Sequence, residues 1–202
     1  FHLPRPVTPW EGTRDATVPT PAPVQPIAES ELVPGMAVAS CGEDCLAAEV
    51  WTPSTDGRRP VLVWIPGGRF QIGSASLPTY DGARLSAEHD LVVVGLNYRL
   101  GLLGFLSGGD IPANLGLHDL LTALRWIRDA AASFGGDPER VILMGESAGA
   151  GAITHLLAVD ETESLIAGAI VQSGAPCSTL DAATAAEVYA AVQRHAEAVG
   201  AA

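Results

Sequence analysis

Four short apolar runs divide the middle of this chain: Val61-Leu62-Val63-Trp64-Ile65, Leu91-Val92-Val93-Val94-Gly95-Leu96, Val141 to Met144, and Ala169-Ile170-Val171. Each is continuous, not alternating, and rich in β-branched residues. That pattern suits strands covered on both faces, as in a parallel sheet. Between the second and third runs, Leu117, Leu120, Leu121, Leu124, Ile127 and Ala131 recur at steps of three and four. The spacing lays an apolar stripe along a helix, with Asn114 placed to cap its start and Gly135-Gly136-Asp137-Pro138 to end it. Ala148 to Leu157 predicts a second helix, and the Ala-rich stretch Asp181 to Val199 a third, capped near Asp181. Strands alternating with helices specify an α/β fold with a mostly parallel sheet and flanking helices. Residues 1–35 are rich in Pro, Thr and Ala and carry no period. They read as an extended segment lying over the same domain, not as a core element.

Composition narrows the functional classes. At 202 residues the chain fits one domain. With 48% hydrophobic and 17% charged residues it has ample material for a core. A net charge of -12 disfavours nucleic acid and anionic membrane surfaces as partners. The most apolar stretch, Leu91 to Leu106, is interrupted by Asn97 and Arg99 and falls short of a membrane span. Cys41, Cys45 and Cys177 are too few, and odd in number, for a disulfide framework and are read as free thiols. The five histidines are scattered without ligand spacing, so no metal is expected. The compartment stays open between the cytoplasm and secretion.

The segment Val141-Ile142-Leu143-Met144-Gly145-Glu146-Ser147-Ala148-Gly149 combines an apolar strand, a G-x-S-x-G turn and a helix start. A sharp strand-to-helix turn exposes its central side chain, and glycines on either side leave room for it. Ser147 is therefore a candidate nucleophile for acyl transfer. Such a nucleophile needs backbone N–H groups aimed at the oxygen that becomes negative. The turn itself supplies the N–H of Ala148. Pro66-Gly67-Gly68-Arg69-Phe70, directly after the first apolar run, fits the place of the other donors.

Through these motifs the chain resembles the type-B carboxylesterases, the α/β-hydrolase family that includes cholinesterases and bacterial p-nitrobenzyl esterases. The resemblance covers nearly the whole chain. It rests on Glu43-Asp44-Cys45-Leu46, on Trp64 to Phe70 with Gly73-Ser74, on Tyr80-Asp81-Gly82, and on Asn97-Tyr98-Arg99-Leu100-Gly101 with Gly104-Phe105. Asn114-Leu115-Gly116-Leu117 with Asp119, Phe134 to Pro138, Gly145 to Gly149 and Gln172-Ser173-Gly174 continue it, and Trp10-Glu11-Gly12 with Arg14-Asp15-Ala16 resembles the early segment.

The resemblance implies a serine hydrolase of carboxylic esters with no cofactor. Ser147 would be the nucleophile, the N–H groups of Gly68, Arg69 and Ala148 the oxyanion hole, and Arg99 with Asp119 a structural ion pair. This sequence departs from the family at Pro66, where His or Tyr is usual, and at Arg69, where Gly or Ala is usual. It also departs at Leu120 (usually Gln) and Ala130 (usually Asn).

The triad acid and histidine follow the nucleophile in this fold's chain order, and nothing here fits them. His155 lies eight residues beyond Ser147 on one helix, about 12 Å away at ~1.5 Å per residue. His2, His89, His118 and His195 match no catalytic position. Residues 36–202 thus read as part of an α/β-hydrolase domain whose acid and histidine come from a missing C-terminal part. That part is then a partner beside the small-molecule ester. Alternatives are a shortened inactive esterase and a non-catalytic cholinesterase-like binding module. A dinucleotide fold is weaker, because Thr154 stands where Gly149-Ala150-Gly151 would need a third glycine.

Overall fold

The four apolar runs become strands of one five-stranded sheet in the computed structural model, which describes residues 1–174 and 179–200. Along the chain lie β1 (Ala22–Pro23), α1 (Ile27–Glu31), β2 (Cys41–Gly42), β3 (Ala48–Trp51), β4 (Arg59–Ile65), α2 (Ala83–His89) and β5 (Val92–Leu96). Then come α3 (Gly101–Phe105), α4 (Leu115–Ala130), β6 (Gly136–Glu146), α5 (Ala148–Leu156), β7 (Gly168–Gln172) and α6 (Ala182–Ala198). The sheet order is β3-β5-β4-β6-β7; β3 is antiparallel to β5 and the other pairs are parallel. This is the α/β-hydrolase arrangement expected from the sequence.

Burial follows the pleat. Val61, Val63 and Ile65 of β4 and Val141 and Leu143 of β6 are fully buried, while Leu62, Trp64, Ile142 and Met144 are half-buried. The buried set packs on Leu120, Leu124 and Ile127 of α4 and Ile153 and Leu156 of α5. The apolar stripe of α4 is thus its core face, as its spacing predicts. The continuous apolar runs predict cover on both faces of the sheet. The second face is closed only in part: a Cβ at Gly82, just before α2, would lie 2.7 Å from Val93 and 2.8 Å from Trp51. At β7, Ile170 and Val171 are exposed.

Three local expectations are corrected. Asn114 precedes α4 but caps it without its side chain. It sits at φ 57°, and its carbonyl accepts the N–H groups of Leu117 and His118. The glycines do not end α4 directly: a 3-10 turn over Ala131–Phe134 intervenes, and Gly136 already opens β6. Pro138, with no N–H for the ladder, falls where the β4–β6 register slips between Arg59 and Val61. Within the N-terminal segment, residues 22–31 form β1 and α1 and bury Ala22, Gln25 and Ser30. Cys41 and Cys45 are free thiols, and Cys177 lies outside the described residues.

Candidate functional site

The chain runs from β4 outward to β5, then crosses back to the other side of β4 to form β6. The carboxyl ends of β4 and β6 therefore flank the point where strand order reverses, the usual crevice of an open α/β sheet. Ile65 pairs with Gly145 at those ends. The loop after β4 and the turn after β6 must leave the sheet side by side, and they do. A Cβ built on Gly67 would lie 3.4 Å from Ser147 Cβ and 2.7 Å from the Glu146 carbonyl oxygen.

Ser147 occupies that turn at φ 52°, ψ -119°, a conformation few side chains adopt. Tight packing holds it there. A Cβ on Gly145 would approach the Gly149 carbonyl carbon to 2.7 Å, and one on Gly149 would come within 2.0 Å of the Ile65 oxygen. The Ser147 N–H donates to the Gln172 carbonyl of β7 at 2.9 Å, and its own carbonyl accepts the first helical bond, from Gly151. The Ser147 side chain is half-buried at the start of α5. The strain is thus offset by contacts from three strands and one helix.

The loop after β4 is a run of unusual backbone. Gly68, Arg69 and Phe70 have φ of 117°, 60° and 60°. The Gly68 carbonyl accepts from Gln71 and Ile72, and the Phe70 carbonyl from Gly101. The Arg69 side chain points into solvent. No backbone carbonyl among the described residues accepts the N–H of Gly68, Arg69 or Ala148. These three donors stay free beside a half-buried hydroxyl, an arrangement suited to holding an anionic oxygen.

Residues to which the sequence alone gave no role hold this loop and the segment after it. Tyr98, buried two residues beyond β5, donates its hydroxyl to the Pro66 carbonyl at 2.9 Å, and burial pushes its phenol pKa up. Asn97 Oδ1 accepts from the Ala75 N–H at 2.8 Å. Gln25 grips Gly73 with both ends of its amide. Asn97 and Tyr98 lie inside a recognised motif, whereas Gln25 sits between Val24 and Pro26 with no periodic signal.

The Arg99–Asp119 pair forms as expected. Nε donates to Oδ2 at 2.8 Å and the Arg99 N–H to the same oxygen at 3.0 Å, with Asp119 almost fully buried. The Asp119 hydrogen bonds hold the Arg99 guanidinium pKa above its ordinary value. His155 turns Nδ1 to the Gly151 carbonyl of its own helix at 2.7 Å. His2, His89 and His195 match no part of the site, and His118 lies one position before Asp119 on α4.

A family model described as the carboxylesterase family matches residues 1–201. The chain is 44% identical over 192 residues to acetylcholinesterase of Gallus gallus, covering 87% of this chain and 24% of that protein. It is 41% identical over 185 residues to para-nitrobenzyl esterase of Bacillus subtilis, covering 87% and 37%. Among solved structures, a thermophilic PNB esterase superposes at a TM-score of 0.86 with 40% identity, covering 95% of this chain and 40% of that one. The chain therefore spans well under half the length of these relatives.

Proposed function

We propose that this chain, which belongs to the carboxylesterase family, carries the nucleophile of a serine hydrolase that cleaves carboxylic esters. The observation that supports this best is the placement of Ser147. Its strained turn leaves the sheet against Gly67, next to the free N–H groups of Gly68, Arg69 and Ala148.

In this reading the ester carbonyl carbon lies over Ser147 Oγ, with its oxygen among the three N–H groups. Oγ attacks and passes its proton to a histidine outside residues 1–202, paired with an acid also outside them. The carbonyl oxygen becomes anionic and is held by the N–H donors, each worth on the order of 10²–10³ in rate. Collapse expels the alcohol with the proton and leaves an acyl group on Ser147. Water then attacks that acyl group by the same route, and the carboxylic acid leaves. Residues 36–202 are the nucleophile-bearing part of the domain, and 1–35 pack into it through the buried Ala22, Gln25 and Ser30. The exposed Arg69 side chain leaves the role of its N–H intact.

The test is hydrolysis of a chromogenic aryl ester by the protein at its natural length. Ser147→Ala is expected to lower kcat by about 10⁶. Hydrolysis unchanged in that variant would overturn the proposal.

A further inference from the structure

We infer that Gln25, from the N-terminal segment, is a positioning residue that sets the direction of the Gly68 N–H; the inference rests on the reading of that N–H as an oxyanion donor.

Gln25 is buried, and its amide is fully used. Nε2 donates to the Pro23 and Gly73 carbonyls, each at 2.9 Å, and Oε1 accepts the Gly73 N–H at 2.8 Å. The side chain thus pairs with both polar groups of Gly73, as a neighbouring strand would. Only a side chain with a donor and an acceptor at this reach does so. Glu lacks the donor when ionised, Asn is one methylene short, and Met has no donor and only a weak sulfur acceptor.

Gly73 in turn meets the proposed oxyanion loop. It sits at φ 121°, and a Cβ there would lie 2.7 Å from the Gly67 carbonyl oxygen. That oxygen and the Gly68 N–H are the two ends of one peptide plane. The plane is trans, so its C=O and N–H point in opposite directions. Whatever fixes the face presented by the Gly67 carbonyl also aims the Gly68 N–H. On the other side of the loop, Tyr98 holds Pro66. Gln25 is the corresponding hold on the Gly73 side, tying the N-terminal segment to the site across 48 residues of sequence. A burial role alone would need no such two-bond geometry.

The test compares Gln25→Met and Gln25→Glu with wild type in the protein at its natural length. For both variants kcat on an aryl ester is expected to fall roughly 10- to 100-fold with KM within about threefold, since small misplacements of a site cost on this order. Inhibition by a trifluoromethyl ketone, which forms an oxyanion on the nucleophile, should weaken in parallel. As pH falls and the introduced carboxylate takes a proton, the resulting carboxylic acid regains a donor and an acceptor. The ratio of the Gln25→Glu kcat to wild type should then rise, while that of Gln25→Met stays flat. Hydrogen exchange at the Gln71 and Ile72 amides, which donate to the Gly68 carbonyl, should quicken in both variants without a matching change in α4. A folded Gln25→Met protein with kcat and trifluoromethyl ketone inhibition within twofold of wild type overturns the inference, whatever its exchange at Gln71 and Ile72. If wild type itself shows no esterase activity, the esterase reading falls instead. Exchange at Gln71 and Ile72 then decides the clamp: faster exchange there, without a change in α4, upholds it, and unchanged exchange overturns it.

Discussion

The backbone of Gly149 presses against the Ile65 carbonyl, with room for no more than a hydrogen between them: a Cβ there would sit 2.0 Å from that oxygen. The contact locks the first turn of α5 to the end of β4, and so fixes the Ser147 turn relative to the Gly67–Gly68 loop. Gly149→Ala must push the two apart. We expect a loss of about 1–3 kcal/mol in stability from overpacking, with a fall in kcat of at least tenfold in the protein that remains folded. Urea denaturation and steady-state hydrolysis measured on one preparation check this. An alanine variant with an unchanged urea midpoint would show that the turn is not wedged.

Gly68 and Arg69 separate backbone from side chain in the proposed oxyanion hole. A Cβ on Gly68 would come within 2.0 Å of the Ile72 oxygen. Gly68→Ala must therefore move the loop, and kcat should fall by about 10²–10³. Arg69→Gly keeps the N–H, removes an exposed side chain and relieves a φ of 60°, so kcat should stay within a few-fold. Arg69→Pro deletes the N–H and cannot hold that φ, and should match Gly68→Ala in its loss. If Arg69→Gly proves as damaging as Arg69→Pro, the guanidinium itself takes part in the reaction.

Asp119 is almost fully buried against Arg99, and it also accepts the Arg99 N–H. Removing one partner of such a pair strands the other without its counter-charge. Asp119→Ala is expected to cost about 3–5 kcal/mol, read as a lowered denaturation midpoint. Activity of the folded fraction at low temperature should survive, because the pair is structural and touches none of the reacting atoms.

The two described cysteines should differ in reactivity. Burial, with a further push from the Asp119 charge, raises the Cys45 thiol to about 11. At pH 8 roughly one thiol in a thousand would then be ionised, and the thiolate is the reactive form. Cys41 is half-exposed. Iodoacetamide at pH 8 should label Cys41 well before Cys45 in the native protein, and both at similar rates after denaturation. Because the Cys45 pKa is raised, its native labelling should go on rising with pH well above the ordinary thiol range. Equal native rates at pH 8 would contradict its burial.

The parts of the fold legible in sequence are those whose signal is local and repeated. β4, β5 and β6 announce themselves as apolar runs, and α4 as a stripe through Leu120, Leu124 and Ile127. Asp181 indeed caps α6 through the Thr184 N–H at 2.8 Å. Elements with weak local signals escaped. β3 has only the four residues Ala48–Trp51, half-buried throughout, and owes its existence to antiparallel pairing with β5. The seven-residue α2 buries only Ser86 and so shows no stripe. At the site, the glycine spacing around Ser147 was readable because one turn imposes it. The grip of Gln25 on Gly73 was not, because it joins residues 48 positions apart through a single amide.

The most direct test of the central claim is to treat the protein, at its natural length, with a fluorophosphonate and locate the adduct by mass spectrometry. We expect one stoichiometric adduct, on Ser147, that abolishes ester hydrolysis and fails to form in Ser147→Ala. An adduct on another residue, or ester hydrolysis that persists with Ser147 fully modified, would contradict the account.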